Sequence, residues 1–363
     1  MYLICIEIDR TMTKADVINH FDPSGVGLRN GRFIGLPFEL EHAEVALLPV
    51  PWDVTVSYQA GTSTGPENIL QASTQLDLFD PDIFDAWKMG IYFAPPDQAI
   101  LERNAELRPL AQEYIQFLES GGNPEGSPMM QSILQRINAG CEEVRKQVFD
   151  KSLDLLRSGY LVGIVGGDHS SPLGLLQALG KVHESFGILH IDAHMDLRKA
   201  YEGFSYSHAS IFYNALNLVP EIKTLVQVGI RDYCQEEWDL AMAQPERIKV
   251  FLDQLIREGQ FEGSTWHAQC QDILYFLPQK VYVSFDIDGL DPSLCPGTGT
   301  PVAGGLSLAH AFYLLKQLAL SGRTIIGFDL CETAGLGAEW DGNVGARVLY
   351  KLCNWTGRTN GRI

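Results

Sequence analysis

The chain has 363 residues, 45% hydrophobic and 20% charged, with Gly 35 and Pro 18, which is the balance of a folded protein with a sizeable core and excludes a disordered or fibrous chain. Lys+Arg 27 against Asp+Glu 45 leaves a formal net charge of −18, which argues against a nucleic-acid partner and favours cationic ligands, metal ions included. The cysteines, Cys 7 in all, are scattered without a CxxC pair, so neither a disulfide framework nor a thiolate zinc site is expected.

The opening apolar run, 1–6, meets Glu7, Asp9 and Arg10 at once and lacks the basic start and cleavage site of a signal peptide. No run approaches the roughly 18 apolar residues of a spanning helix, so a cytoplasmic protein with no membrane partner is expected. In chain order, apolar runs at 44–50, 90–93, 161–165, 186–191, 224–229, 248–251, 280–285 and 324–328 read as strands. Helical patterns fall between them, at 65–73, 100–119, 129–158, 171–183, 236–244, 308–321 and 345–353. Apolar strands without alternation are buried on both faces, the habit of a parallel sheet covered by helices. Strand, helix, strand, repeated, is an α/β fold with right-handed crossovers. The predicted organisation is an N-terminal extension (1–43), one domain (44–354) with a helical insertion at about 95–158, and a C-terminal tail (355–363). The first forty residues and the tail are expected on the surface.

The chemistry collects at strand ends, where open α/β sheets place their ligand sites. The third run leads into Gly-Gly-Asp168-His169-Ser170, the fourth into Asp192-Ala-His194-Met-Asp196, and the seventh into Asp286-Ile-Asp288-Gly-Leu-Asp291-Pro292. Residues two apart in extended chain share a side, so Asp192, His194 and Asp196 are expected to face one site, as are Asp286 and Asp288. Four carboxylates and two imidazoles exceed the needs of one tetrahedral zinc and suit two octahedral-leaning divalent ions of the manganese type. Two such cations balance the four carboxylates charge for charge. Without them the acids would repel and most would protonate. A lone Asp-x-Asp is more simply a cap or a turn; three such motifs, each after a buried strand, are not.

These motifs resemble the signature set of the ureohydrolases, the arginase and agmatinase family, and the resemblance runs from about Glu44 to Cys353. Upstream it takes in Pro49-Val-Pro51-Trp52-Asp53 with Gly61, Gly65-Pro66 and Ile69. Downstream, Ser284 to Pro292 runs on to Pro296-Gly-Thr-Gly-Thr-Pro301 and Gly304-Gly305-Leu306, which is similar to the agmatinase branch. The resemblance implies a three-layer α/β/α fold with a mainly parallel eight-stranded sheet, and homotrimers or homohexamers. It assigns one metal to His169, Asp192, Asp196 and Asp286 and the other to Asp192, His194, Asp286 and Asp288, with Asp192 and Asp286 bridging. Manganese is the default metal, and nickel suits the same donors. It makes His208 a proton shuttle at the cavity mouth, a task that suits an imidazole titrating near neutrality. Glu332 becomes the carboxylate that clamps a substrate guanidinium, and Asp196 passes a proton to the leaving nitrogen. Asp168 and Asp291 are expected to orient the ligands. Met195 departs from the smaller or aliphatic residue expected there and should point away from the metals.

The implied reaction is hydrolysis of a guanidinium C–N bond with release of urea. The loop Leu197–Gly203 lacks the polar residues with which arginases read an amino-acid head group, which leaves agmatine, another guanidino amine or free guanidine as the small cationic substrate. Formiminoglutamate, or a guanidino acid such as guanidinobutyrate, is the alternative. Arg198 and Lys199 would support the first unless they pair with Glu202 or another acid. Trp52, Tyr58, Tyr201, Phe204 and Tyr206 are expected to border the mouth, and His190 to be a hydrogen-bonded core residue. A single-zinc deacetylase on the same fold would not need both His169 and the 192–196 motif. A non-catalytic relative would be expected to have lost a ligand, His208 or Glu332, and all are present.

Overall fold

Residues 12–363 are described by the structure, a computed structural model; the 1–6 run and Cys5 lie outside them. Eight strands form one sheet: β1 (Val45–Val50), β2 (Ile91–Phe93), β3 (Leu161–Gly166), β4 (Phe186–Ile191), β5 (Ile222–Ile230), β6 (Ile248–Leu252), β7 (Lys280–Asp286) and β8 (Thr324–Cys331). Their order is β2-β1-β3-β8-β7-β4-β5-β6, and every pairing is parallel. β3 and β4 are buried at every residue, as continuous apolar runs require.

Helices cover both faces, giving the expected three layers. One apolar cluster joins Leu189, Val283 and Phe328 to the helices Leu308–Leu320 and Glu339–Thr359. The other joins Ile164, Ile188 and Leu225 to Gln98–Glu119, Pro128–Arg157 and Leu173–Val182. Among the described residues no helix is long and apolar enough to cross a membrane.

The surface expectation holds for residues 22–31, which are exposed, and is corrected for a part of each end. Phe33, Ile34, Leu36 and Phe38 are at most 3% exposed and belong to the core, where each large side chain contributes about 1.5–3 kcal/mol. Ile34 takes a left-handed φ of 55°, held by its burial and by its N–H donating to Ser73 Oγ at 2.8 Å. At the other end the last helix runs to Thr359, well beyond the expected stop at Cys353, and Trp355 is 4% exposed. Polar partners make that possible: Asn354 donates to Asp80 at 2.9 Å, and Thr359 Oγ1 accepts the Ile325 N–H at 3.1 Å. Four helices also lie where none was expected, at Lys14–His20, Ile211–Leu218, Asp253–Phe261 and Trp266–Tyr275.

Candidate metal centre and substrate cavity

β3, β8, β7 and β4 are neighbours in the sheet, so the segments leaving their carboxyl ends meet over its middle. The turn after β3 needs its glycines: a Cβ on Gly167 would lie 2.0 Å from the Trp52 carbonyl oxygen. Asp192 and Asp286 then fold their own motifs. Asp192 Oδ1 accepts the His194 N–H at 2.6 Å, and Asp286 Oδ1 accepts the Asp288 N–H at 2.8 Å. Asp288 Oδ1 ties the two motifs together through the Ala193 N–H at 3.1 Å. The acids therefore converge through side-chain-to-backbone turns, not through the extended-chain alternation expected. Asp196 and Glu332 hold left-handed φ values of 54° and 59°, uncommon for non-glycine residues and typical of functional sites.

His169 Nδ1 lies 3.0 Å from Asp192 Oδ2, 3.0 Å from Asp196 Oδ2 and 3.2 Å from Asp286 Oδ2. It is buried without a hydrogen-bond partner. Its other nitrogen is engaged: Nε2–H donates to Ser284 Oγ at 2.9 Å, and the Ser284 hydroxyl donates to Asp329 Oδ2 at 2.7 Å. That relay leaves the Nδ1 lone pair facing three carboxylate oxygens. An octahedral cation with ligands roughly 2.1 Å away separates neighbouring ligand atoms by about 3.0 Å, so this donor set fits one divalent ion. A second set lies beside it, with His194 Nδ1 3.3 Å from Asp192 Oδ1 and 3.1 Å from Asp288 Oδ2. Asp192 thus turns one oxygen to each set, the arrangement of a bridging carboxylate. Asp286 turns Oδ2 to the first set, while its Oδ1 accepts the Asp288 amide just as Asp192 Oδ1 accepts that of His194.

The charges call for cations. Burial and the neighbouring Asp192 push the Asp196 carboxyl up to about 7. Burial with Asp288 and Asp192 pushes Asp286 well up, and burial with Asp168 does the same to Glu332. Burial works to raise Asp192 too, but His190, His169 and His194 hold it well below the usual range. His190 is the hydrogen-bonded core residue expected. Its Nε2–H donates to Asp192 Oδ2 at 2.7 Å and its Nδ1 accepts from Gln227 at 3.0 Å, so it orients a ligand carboxylate. Met195 points into the core, away from the acids, and its carbonyl accepts from Gln227.

Above the cluster opens a cavity of about 410 Å³, which His169, His194, Asp196, Asp286, Asp288, His208 and Glu332 all line. Glu332 Oε1 accepts the His169 N–H at 3.0 Å, while Oε2 is buried without a partner. The His208 N–H donates to Thr55 Oγ1 at 3.2 Å. Burial and the nearby His194 push the His208 imidazole down to about 3, so it stands neutral and departs from the near-neutral titration expected of a shuttle. Asp168 touches no ligand side chain through its hydrogen bonds; it accepts from Thr55 at 2.9 Å and from Ser170, and Asp291 holds its own turn at Ser293.

Of the five aromatics expected at the mouth, Tyr58 and Tyr201 line the cavity. Trp52 and Phe204 are 1% and 0% exposed and belong to the core, and Tyr206 lies under Arg145. Arg198 lines the cavity but is taken up, its Nε 3.6 Å from Glu237 and its guanidinium 4.7 Å above the Tyr201 ring. The pairing condition set for Arg198 and Lys199 is met by Arg198 alone, since Lys199 is exposed and pairs with no acid among the described residues. Sequence reasoning assigned no role to Ser284, Asp329, Thr55 or Gln227. Ser284 and Asp329 flank recognised motifs, and their position at neighbouring strand ends is the signal that could have found them.

The Arginase family model matches residues 43–353. N(1)-aminopropylagmatine ureohydrolase of Thermus thermophilus is 32% identical over 312 residues, covering 85% of this chain and 89% of that protein. Guanidinobutyrase of Pseudomonas aeruginosa is 28% identical over 327 residues, 87% of either chain. In structure, the agmatine ureohydrolase of Thermoplasma volcanium shares the fold at a TM-score of 0.67 and 19% identity, over 96% of this chain and 99% of that one. The parallel sheet, its paired strand-end motifs and a family match over most of the chain lead to one conclusion: this protein belongs to the arginase family.

Proposed function

We propose that the cavity hydrolyses the guanidinium C–N bond of a small cationic guanidino compound, an agmatine-type amine or free guanidine, and releases urea. As a member of the arginase family the chain is a metal-dependent hydrolase of guanidino compounds. The observation that carries the reading is one buried imidazole nitrogen facing three carboxylates at 3.0–3.2 Å, with the unpartnered Glu332 carboxylate oxygen in the same cavity.

His169, Asp192, Asp196 and Asp286 would hold one divalent ion, and Asp192, His194, Asp286 and Asp288 the other. A bound pair would supply Lewis-acid activation of water at neutral pH. Glu332 Oε2 accepts hydrogen bonds from the planar cation and fixes its central carbon over the acids. Asp196, a member of the first set, would take the proton that the attacking water loses and pass it to the leaving nitrogen. His208, which lines the cavity wall, is the proposed group for proton exchange with solvent.

The cation preference draws on the walls. Arg198 is tied to Glu237 and Tyr201, whereas Asp232, exposed and lining the cavity, leaves a carboxylate facing the substrate space. Manganese is the proposed metal, with nickel fitting the same donors, in a cytoplasmic homotrimer or homohexamer. The test is a urea-release screen over agmatine, guanidine, guanidinobutyrate and arginine, with formamide release from formiminoglutamate, on apoprotein reloaded with manganese, nickel or zinc. Agmatine or guanidine should lead. A carboxylate substrate turned over faster, or no turnover of any, overturns the reading.

A further inference from the structure

We propose that Arg108, on the helix Gln98–Glu119, is a positioning residue that fixes His208 and one cavity wall through the loop 53–59. Its guanidinium Nη1 donates to the carbonyls of Val54 at 3.0 Å and Val56 at 2.6 Å. One helical turn earlier, Asn104 makes a reciprocal pair with Asp53: Asn104 Oδ1 accepts the Asp53 N–H at 2.8 Å, and Asn104 Nδ2 donates to Asp53 Oδ1 at 3.0 Å. The second Asp53 oxygen accepts the N–H groups of Gly61 at 2.9 Å and Ser63 at 3.3 Å, closing the loop on itself.

The loop reaches the site at Thr55. Its hydroxyl donates to Asp168 Oδ2 at 2.9 Å, and its oxygen accepts the His208 N–H at 3.2 Å. Ser57, Tyr58 and Gln59 of the same loop line the cavity. The two long helices also grip the segment on the other side of His208. Asn138, on Pro128–Arg157, donates to the Gly203 carbonyl at 3.1 Å and accepts the Ser205 N–H at 2.9 Å, and Tyr114 packs on Phe204 with ring centroids 5.6 Å apart. His208 is therefore held from both sides by helices that carry none of the site's acids or imidazoles.

The loop 53–59 is not a strand, and no sheet ladder fixes it. Val54, Thr55 and Val56 are buried, and the charge-assisted bonds from Arg108 to two carbonyls add the strong kind of polar tether to that packing. Misplacement of a working group by about 1 Å costs up to about 100-fold in rate. The kinetic part of this inference rests on the hydrolytic reading above; the structural part does not.

The test compares Arg108→Met, Asn104→Ala, Thr55→Val and the Arg108→Met/Thr55→Val double variant with wild type, in kcat/KM, metal content and hydrogen exchange of segments 53–59 and 201–208. Arg103→Ala, which removes exposed pairs with Glu106 and Glu143 from the same helix, is the control. The expected result for Arg108→Met is a fall in kcat/KM of between about 10-fold and 100-fold, wild-type metal content, and faster exchange in both segments. The double variant should fall no further than the worse single, because both act along one path. Wild-type activity and exchange, an equal loss in Arg103→Ala, or multiplying losses in the double variant overturn the proposal. If Arg108→Met does not fold, Asn104→Ala and Thr55→Val carry the same expectations and the same refutation. If the wild type turns over no guanidino compound, the hydrolytic reading fails, and hydrogen exchange alone still decides whether Arg108 braces both segments.

Discussion

Replacing Ser284 by alanine removes one oxygen, the acceptor of His169 Nε2–H and the donor to Asp329. His169 is 1% exposed, so the orphaned N–H finds no water, and Asp329 Oδ1 at 3.6 Å is too far to replace the lost acceptor without movement. An unsatisfied buried donor costs about 1–3 kcal/mol. The imidazole can avoid that cost by moving its proton to Nδ1, which then no longer offers a lone pair to the position flanked by three carboxylates. Either way the first metal set weakens, by roughly 10-fold to 100-fold at about 1.4 kcal/mol per decade. The second set draws its imidazole from His194, which makes no contact with Ser284 in the hydrogen-bond network, so its affinity should hold. Titrating apoprotein with manganese by calorimetry resolves the two sites. Ser284→Ala should weaken one site and spare the other, with urea release falling alongside. Wild-type affinity at both sites would refute the tautomer argument, and equal loss at both would refute the division into two donor sets.

Asp192→Asn, which alters the one side chain reaching both imidazole ligands, should abolish retention of both metals, whereas Asp288→Ala should spare the His169 site; elemental analysis after dialysis separates the two. Glu332→Gln keeps the acceptor for the His169 N–H but sets an amide against the substrate, so kcat/KM should fall by roughly 10-fold to 100-fold with metal content unchanged. Burial and the neighbouring Glu119 push the Glu202 carboxyl up to about 7, with Arg108 opposing. The folded chain then keeps a proton that the unfolded chain loses near 4.5, so stability falls as pH rises from 4.5 to about 7. Glu202→Gln should flatten the denaturation midpoint over that range, and an unchanged slope would show that Glu202 is already ionised there.

The strands and the acids at their ends were legible because each leaves a local mark: an unbroken apolar run, then Asp or His at fixed short spacing. Phe186–Ile191 was placed to the residue for that reason. The partners that tune those acids leave no such mark. Ser284 and Asp329 sit on adjacent strands and meet only through the β7–β8 register, and His190 reaches Gln227 only through β4–β5 pairing. The helix Asp253–Phe261 buries only Asp253 and Ile256, too narrow a stripe to register as helical periodicity. Phe33 to Phe38 and Trp355 were misread because burial there depends on what the rest of the chain brings to them. His208 illustrates the same limit in chemistry: its place in the cavity was legible, but the burial that holds its imidazole neutral was not.

The central claim is a pair of neighbouring cations held by acids and imidazoles from three separate stretches of chain. Anomalous diffraction from crystals of the manganese-loaded protein tests it most directly. Two peaks are expected: one ringed by His169, Asp192, Asp196 and Asp286, the other by Asp192, His194, Asp286 and Asp288. A single peak, or peaks away from these residues, would contradict it.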